Sequence, residues 1–157
     1  MANESGNVIR ITDRHSRKPI ITLTGATTLT EDQSGATVVA NAAAGFTITL
    51  PALCPNGTNF ELVLGTTITS VGLKVITGAA TELMVGTIVN TDTDTTDTLA
   101  SWKSLVGASN ISFTLNGTTK GGLIGDNIVL TKITSTKWQV NGTTLATGTV
   151  VTPFATS

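Results

Sequence analysis

Hydrophobic and polar positions alternate along most of the chain from Ile20 onward. Phe46-Thr47-Ile48-Thr49-Leu50 and Ile111-Ser112-Phe113-Thr114-Leu115 alternate without a break, and Phe60-Glu61-Leu62-Val63-Leu64 keeps Phe60, Leu62 and Leu64 on one side. Period two is the strand signature, because successive side chains leave opposite faces of the pleat. Runs at 20–24, 37–40, 73–77, 83–89, 128–131, 137–140 and 145–151 bring the total to about ten short strands. Asn56-Gly57, Asn116-Gly117 and Asn141-Gly142 supply residue pairs that tolerate positive φ in tight turns. One stretch, Leu99-Ala100-Ser101-Trp102-Lys103-Ser104-Leu105-Val106, admits two helical turns before Gly107 would stop it. Many short strands and almost no helix predict an all-β fold, an antiparallel β-sandwich or jelly-roll-like domain over residues 20–157. Residues 1–19, ending at Pro19, read as an extended N-terminal arm.

Within that pattern two segments carry more than a strand assignment. In Leu83-Met84-Val85-Gly86-Thr87-Ile88-Val89 both faces are apolar, and such a strand is expected to be covered on both sides. Leu83, Met84, Val85, Ile88 and Val89 are therefore the candidate subunit interface. Trp138 alternates onto the same face as Val140 and is expected in the core.

Composition explains the polar half of the alternation. The chain holds 33 Thr among 157 residues, whose branched Cβ suits an extended backbone and whose hydroxyl suits a wet face. Charged residues make up 12%, which argues against a coiled coil, and 39% apolar content argues against disorder. No apolar run approaches about 18 residues, so no membrane contact is expected. The opening Met1-Ala2-Asn3-Glu4-Ser5-Gly6 lacks the apolar centre of a secretory signal, which fits production in a cytoplasm.

The supply of catalytic groups is thin, with one His, one Cys and no Tyr. His15 sits among Arg14, Arg17 and Lys18, cations that disfavour its charged form. Cys54 lies in an apolar, proline-bounded segment without a cation to stabilise a thiolate, and reads as a buried bystander. One His and one Cys exclude the usual zinc sites. Asp92, Asp94 and Asp97 form the one acidic concentration, but three carboxylates without the glycine and terminal glutamate of a calcium loop read as a solvated segment, with a weak cation site as the alternative. No enzyme, metal or cofactor is expected. The arm gathers Arg10, Arg14, Arg17 and Lys18. Without interleaved aromatics, and in a chain of pI near 5.7, nucleic acid is the weaker reading of that arm. Docking on an acidic protein surface, or a solvated tail, fits it better.

Leu29-Thr30-Glu31-Asp32-Gln33-Ser34-Gly35, then Gly45-Phe46-Thr47-Ile48-Thr49-Leu50-Pro51, then Gly57 and Phe60 resemble a pattern of small tailed-bacteriophage virion proteins. Gly125-Asp126-Asn127-Ile128-Val129-Leu130 with Lys137-Trp138-Gln139-Val140-Asn141-Gly142 is similar to the closing hairpin of the same group. The group includes head decoration, or cement, proteins and modules of fibres and spikes. The resemblance implies a β-rich subunit, commonly a homotrimer, that binds where major capsid protein subunits meet and reinforces the shell. It places the chain in the virion, on the outer capsid surface, after assembly in the host cytoplasm, with the basic arm at the capsid contact. The alternative it leaves open is a fibre or spike module that binds a host receptor or carbohydrate. Exposed strand edges with few guarding charges favour association with further copies in either case.

Overall fold

The computed structural model describes residues 17–94, 99–104, 107 and 109–157. Among these residues twelve strands form two facing sheets, and Glu31–Gln33 makes a 3₁₀ turn. The strands are β1 (Ile20–Leu23), β2 (Thr27–Thr28), β3 (Thr37–Ala40), β4 (Thr47–Thr49), β5 (Asn59–Leu64), β6 (Leu73–Ile76), β7 (Leu83–Asp92), β8 (Leu99–Ser104), β9 (Ser112–Leu115), β10 (Asn127–Thr134), β11 (Lys137–Ala146) and β12 (Phe154–Ala155). A seven-stranded sheet runs β1-β3-β5-β10-β11-β7-β8, and a five-stranded sheet runs β12-β9-β6-β4-β2.

The all-β sandwich expected from the alternation is present, but its sheets are mixed rather than antiparallel. From β1 to β6 the chain steps from one sheet to the other and back, laying β1, β3 and β5 parallel in one and β2, β4 and β6 parallel in the other. This makes a flattened coil. Its crossovers satisfy the long connection that parallel pairing needs by passing through a strand of the opposite sheet. The rungs are unequal: Thr37 sits 17 positions after its partner Ile20, and Glu61 sits 24 after its partner Thr37. No fixed sequence period results. Antiparallel pairing then closes both sheets through β10, β11 and β8 on one side and β9 and β12 on the other, while β11 and β7 run parallel.

Alternation puts Phe60, Leu62 and Leu64 of β5, Ile128 and Leu130 of β10, and Trp138 and Val140 of β11 against Ile48, Leu73, Val75, Phe113 and Leu115 of the smaller sheet. All are essentially inaccessible to water. Trp138 is in the core as its alternation predicts, stacked on Phe60 at a centroid distance of 6.3 Å. Cys54 is buried in the same core.

Three local expectations are corrected. Residues 99–104 form a strand, not a helix: pairing with β7 at the sheet edge lets Ala100, Trp102 and Ser104 face in while Leu99, Ser101 and Lys103 face out. Asn141-Gly142 is no turn but lies mid-strand in β11, opposite Val129 and Ile128. A Cβ on Gly142 would come within 2.6 Å of Ile128 Cγ1, so glycine serves close strand approach there. Finally, 137–140 and the start of the run at 145 belong to one strand, and residues 147–151 are not strand.

Candidate interaction surfaces and the buried ion pair beneath one of them

The root of the basic arm is fixed to the body of the protein. Lys18 Nζ donates to Glu61 Oε2 at 2.8 Å, and Glu61 also accepts from Thr37 Oγ1 and from Asn127 Nδ2. The hydrogen bond from Lys18, followed by that from Asn127, holds the Glu61 carboxyl below its ordinary range, against a smaller opposing effect of burial. Lys18 is thus partly neutralised on its own chain, while Arg17 is exposed. Arg10, Arg14 and His15 lie outside the described residues.

Glu61 belongs to the outer face of the seven-stranded sheet, which the registers assemble into rows. One row is Thr22, Val39, Val63, Asn127, Thr143, Val89 and Ser101; the next is Ile20, Thr37, Glu61, Val129, Asn141, Thr87 and Lys103. These fourteen positions hold two charges, the neutralised Glu61 and Lys103 at the far edge. Seven strands at about 4.8 Å spacing make a face about 30 Å wide. It is broad, holds few charges, Lys137 adding one at the start of β11, and takes the root of the arm at Glu61 on its third strand.

The candidate subunit interface on β7 is only partly available. Met84 and Ile88 point into the chain's own core, both fully buried, because β7 lies between β11 and β8 rather than at an edge. Leu83, Val85 and Val89 alternate onto the outer face, where Val85 is already 9% exposed only. Further along the inward face, Asn90 is buried, and among the described residues neither its amide atoms nor the Trp102 indole nitrogen of β8 finds a hydrogen-bond partner. Asp92 is buried at the end of β7 and accepts from the Asp94 N–H at 3.0 Å, which removes it from the solvated acidic loop expected there. Asp97 lies outside the described residues. Among the described residues no three His, Cys, Asp or Glu come together as metal ligands, and no helix is long and apolar enough to cross a membrane.

The pattern reading passed over the most constrained polar group in the molecule. Glu82 and Lys132 are both fully buried and form an ion pair between Oε1 and Nζ at 2.5 Å. Glu82 Oε1 also accepts from the Leu53 N–H at 2.9 Å, and Oε2 accepts from Trp138 Nε1 at 3.2 Å. The ammonium lies 5.3 Å from the Trp138 ring centroid. Burial alone pushes the Glu82 carboxyl up. The hydrogen bonds from Lys132, Leu53 and Trp138, with the charge of Lys132, outweigh that and hold it below its ordinary range. A signal for this pair exists in the sequence: Ile128, Leu130 and Lys132 share the inward register of β10, so Lys132 requires a buried acid.

The pair pins a turn. Leu53 adopts φ 54° and is 79% exposed, a left-handed conformation that costs an ordinary residue about 1 kcal/mol. Gly78 packs so tightly beneath the turn that a Cβ on it would lie 2.3 Å from Leu50 O and 2.5 Å from Ala52 N. At the opposite end of the sandwich a second buried acid, Asp126, accepts from the N–H groups of Gly122, Leu123 and Leu145. Burial pushes its carboxyl up, and those three hydrogen bonds only partly offset the effect.

Comparison with protein-family models, with curated proteins and with solved structures finds no match to this chain. The described residues thus present a wide sheet face with few charges, the root of a basic segment held on it at Glu61, and loops held from within.

Proposed function

We propose that this chain is a structural virion protein of a tailed bacteriophage, of the head decoration or cement type, and not an enzyme. It acts as a homotrimer on the outer capsid surface, bound at joints between major capsid protein subunits. The observation that carries the reading is the union of the arm with the sheet face: Lys18 anchors the arm at Glu61, on the third of the seven strands of a face about 30 Å wide with little charge of its own. Such a face is suited to flat contact with another protein, and the cations of the arm supply the attraction to acidic groups beside it. The work is mechanical. Each bound subunit adds interface across a joint, so opening the shell must break more contacts, and mass action favours the occupied shell.

The likeness to phage virion proteins at 29–64 and 121–142 falls on β3 to β5 and on the β10-β11 hairpin; β3, β5, β10 and β11 belong to the sheet that bears this face and β4 to the one behind it. A second reading, a fibre or spike module binding a receptor or carbohydrate, draws on one feature. Among the described residues the parallel coil of β1 to β6 leaves β1 and β2 as sheet edges, where another strand can continue the stack.

The test is occupancy and strength. Purified protein added to shells that lack it should bind in fixed stoichiometry and raise the temperature at which they open, and removal of residues 1–16 should weaken binding while leaving the free protein folded. Shells that take up no protein, or that open at the same temperature when fully occupied, refute the decoration reading. Binding to host-surface glycans instead supports the second.

A further inference from the structure

We propose that the open edge of β2 is the docking site for residues 8–12 of this same chain, which add one more parallel strand to the smaller sheet. Three observations carry the inference, and none of them draws on the shell reading.

The first is the edge itself. The Leu29 N–H donates to Thr49 O and Thr28 lies opposite Thr49, so the N–H and C=O of Thr28 turn away from β4. Among the described residues no strand lies on that side. An unpaired row of this kind is a template for another strand. Ile21 of β1, the core residue at the same end of the coil, packs inward but is only half-buried. Val8-Ile9-Arg10-Ile11-Thr12 alternates, and with Ile9 opposite Thr27 it turns Ile9 and Ile11 inward to cover that end of the core.

The second is the length of chain before β1 and the end at which it enters. Strands β1, β3 and β5 are parallel and start at one end of the sandwich, and β3 and β5 are each reached from the smaller sheet, by residues 29–36 and 50–58. Residues 13–19 give β1 a connection of nearly the same length. Lys18, held at Glu61, brings the chain into β1 from that end. Extended over residues 13–19 the chain reaches up to about 23 Å, against about 10 Å between facing sheets. Followed backwards, the coil therefore puts residues 8–12 in the smaller sheet, beside β2. The third observation is charge. Glu31 and Asp32, on the turn that follows β2, are exposed and form no ion pair among the described residues. In parallel register the chain after residue 12 passes this turn, and Arg14 meets the two carboxylates. Docking makes the basic arm a held loop, residues 13–19, that presents Arg14 and Arg17 at one end of the sandwich.

Amide hydrogen exchange of the full chain, followed by NMR, tests the site. The Thr28 N–H should exchange roughly tenfold or more slowly in wild type than in an Ile9→Asn/Ile11→Asn variant of wild-type far-UV circular dichroism. The Ile20 and Thr22 N–H groups, which face the open edge of β1 because Pro19 and Leu23 are the residues bonded to β3, should exchange alike in both. A disulfide gives a second reading that does not depend on the Asn variant folding. Arg10→Cys/Thr28→Cys should close within one chain on mild oxidation, whereas Arg10→Cys/Ser101→Cys, with its second cysteine on β8 at the far edge of the larger sheet, should not. A Thr28 N–H that exchanges equally fast in both proteins overturns the proposal. So does protection that appears at Ile20 and Thr22 instead, or a disulfide that forms only between chains.

Discussion

Breaking the buried pair by Lys132→Met should be among the most damaging single changes in the molecule. It leaves the Glu82 carboxylate with two neutral donors, the Leu53 N–H and Trp138 Nε1, in a site closed to water. Removing one partner of a buried ion pair typically costs about 3–5 kcal/mol, because the remaining charge is uncompensated. Against a total stability of about 5–15 kcal/mol, that is about a fifth of the whole or more. Glu82→Gln should cost a similar amount by stranding Lys132. The double variant Glu82→Gln/Lys132→Met removes both charges, retains an amide oxygen for the Leu53 N–H, and fills the lysine stem with an apolar one. It should lose about 1–2 kcal/mol and so be more stable than either single variant. In urea unfolding, with a slope of about 2 kcal/mol per molar, a loss of 3 kcal/mol lowers the midpoint by about 1.5 M. Single variants that unfold within about 0.3 M of wild type, or a double variant weaker than both singles, would refute the reasoning.

Three further outcomes follow from the same geometry. The Glu82 carboxyl lies below its ordinary value of 4.5 in the folded state, so the folded chain binds fewer protons there and its contribution is complete above that value and lost as pH falls through the lowered one. Urea midpoints measured between pH 6 and the acid limit should therefore fall more steeply for wild type than for the double variant, even though Asp126, raised by burial, contributes with the opposite sign. Met84→Ala should lower stability by about 2–5 kcal/mol while leaving the sedimentation coefficient unchanged, as a core position rather than a subunit contact does; dissociation without loss of stability would reverse that assignment. Asn90→Leu should raise the melting temperature, because it replaces a buried amide without hydrogen-bond partners by an apolar group of similar size, and a drop of several degrees would show that the amide has a role the geometry does not reveal.

The alternation of Phe46 to Leu50, Phe60 to Leu64 and Ile111 to Leu115 was enough to place β4, β5 and β9, since period two decides which side chains face a core wherever that core lies. Pairing direction is a different matter. Short strands separated by a few residues suit hairpins and the sheet-to-sheet coil of β1 to β6 equally, and the alternation is identical in both. Turn residues do not separate the two either: Asn56-Gly57 falls inside the coil, between β4 and β5, where it joins strands of opposite sheets rather than a hairpin. Gly142 misled because glycine serves tight turns and close backbone approach alike, and its neighbours in sequence do not say which. The region from 99 to 104 was ambiguous because Leu99, Trp102 and Leu105 fit a helical spacing, whereas pairing with β7 decides in favour of strand.

The arm was visible as a cluster of cations, but its root on Glu61 required the registers of β3, β5 and β10, which bring Thr37 and Asn127 to the same carboxylate. Glu82 and Lys132 are 50 positions apart, and neither attracts attention singly in a chain with nineteen charged residues. The inward register of Lys132 on β10 is the clue that a search for catalytic or metal-binding residues does not use.

Electron microscopy of phage particles assembled with and without this chain tests the decoration reading most directly. The account predicts threefold-symmetric density on the outer capsid surface at the joints between major capsid subunits in the first sample and bare joints in the second. Particles with identical heads in both samples, or density confined to the tail, would contradict it.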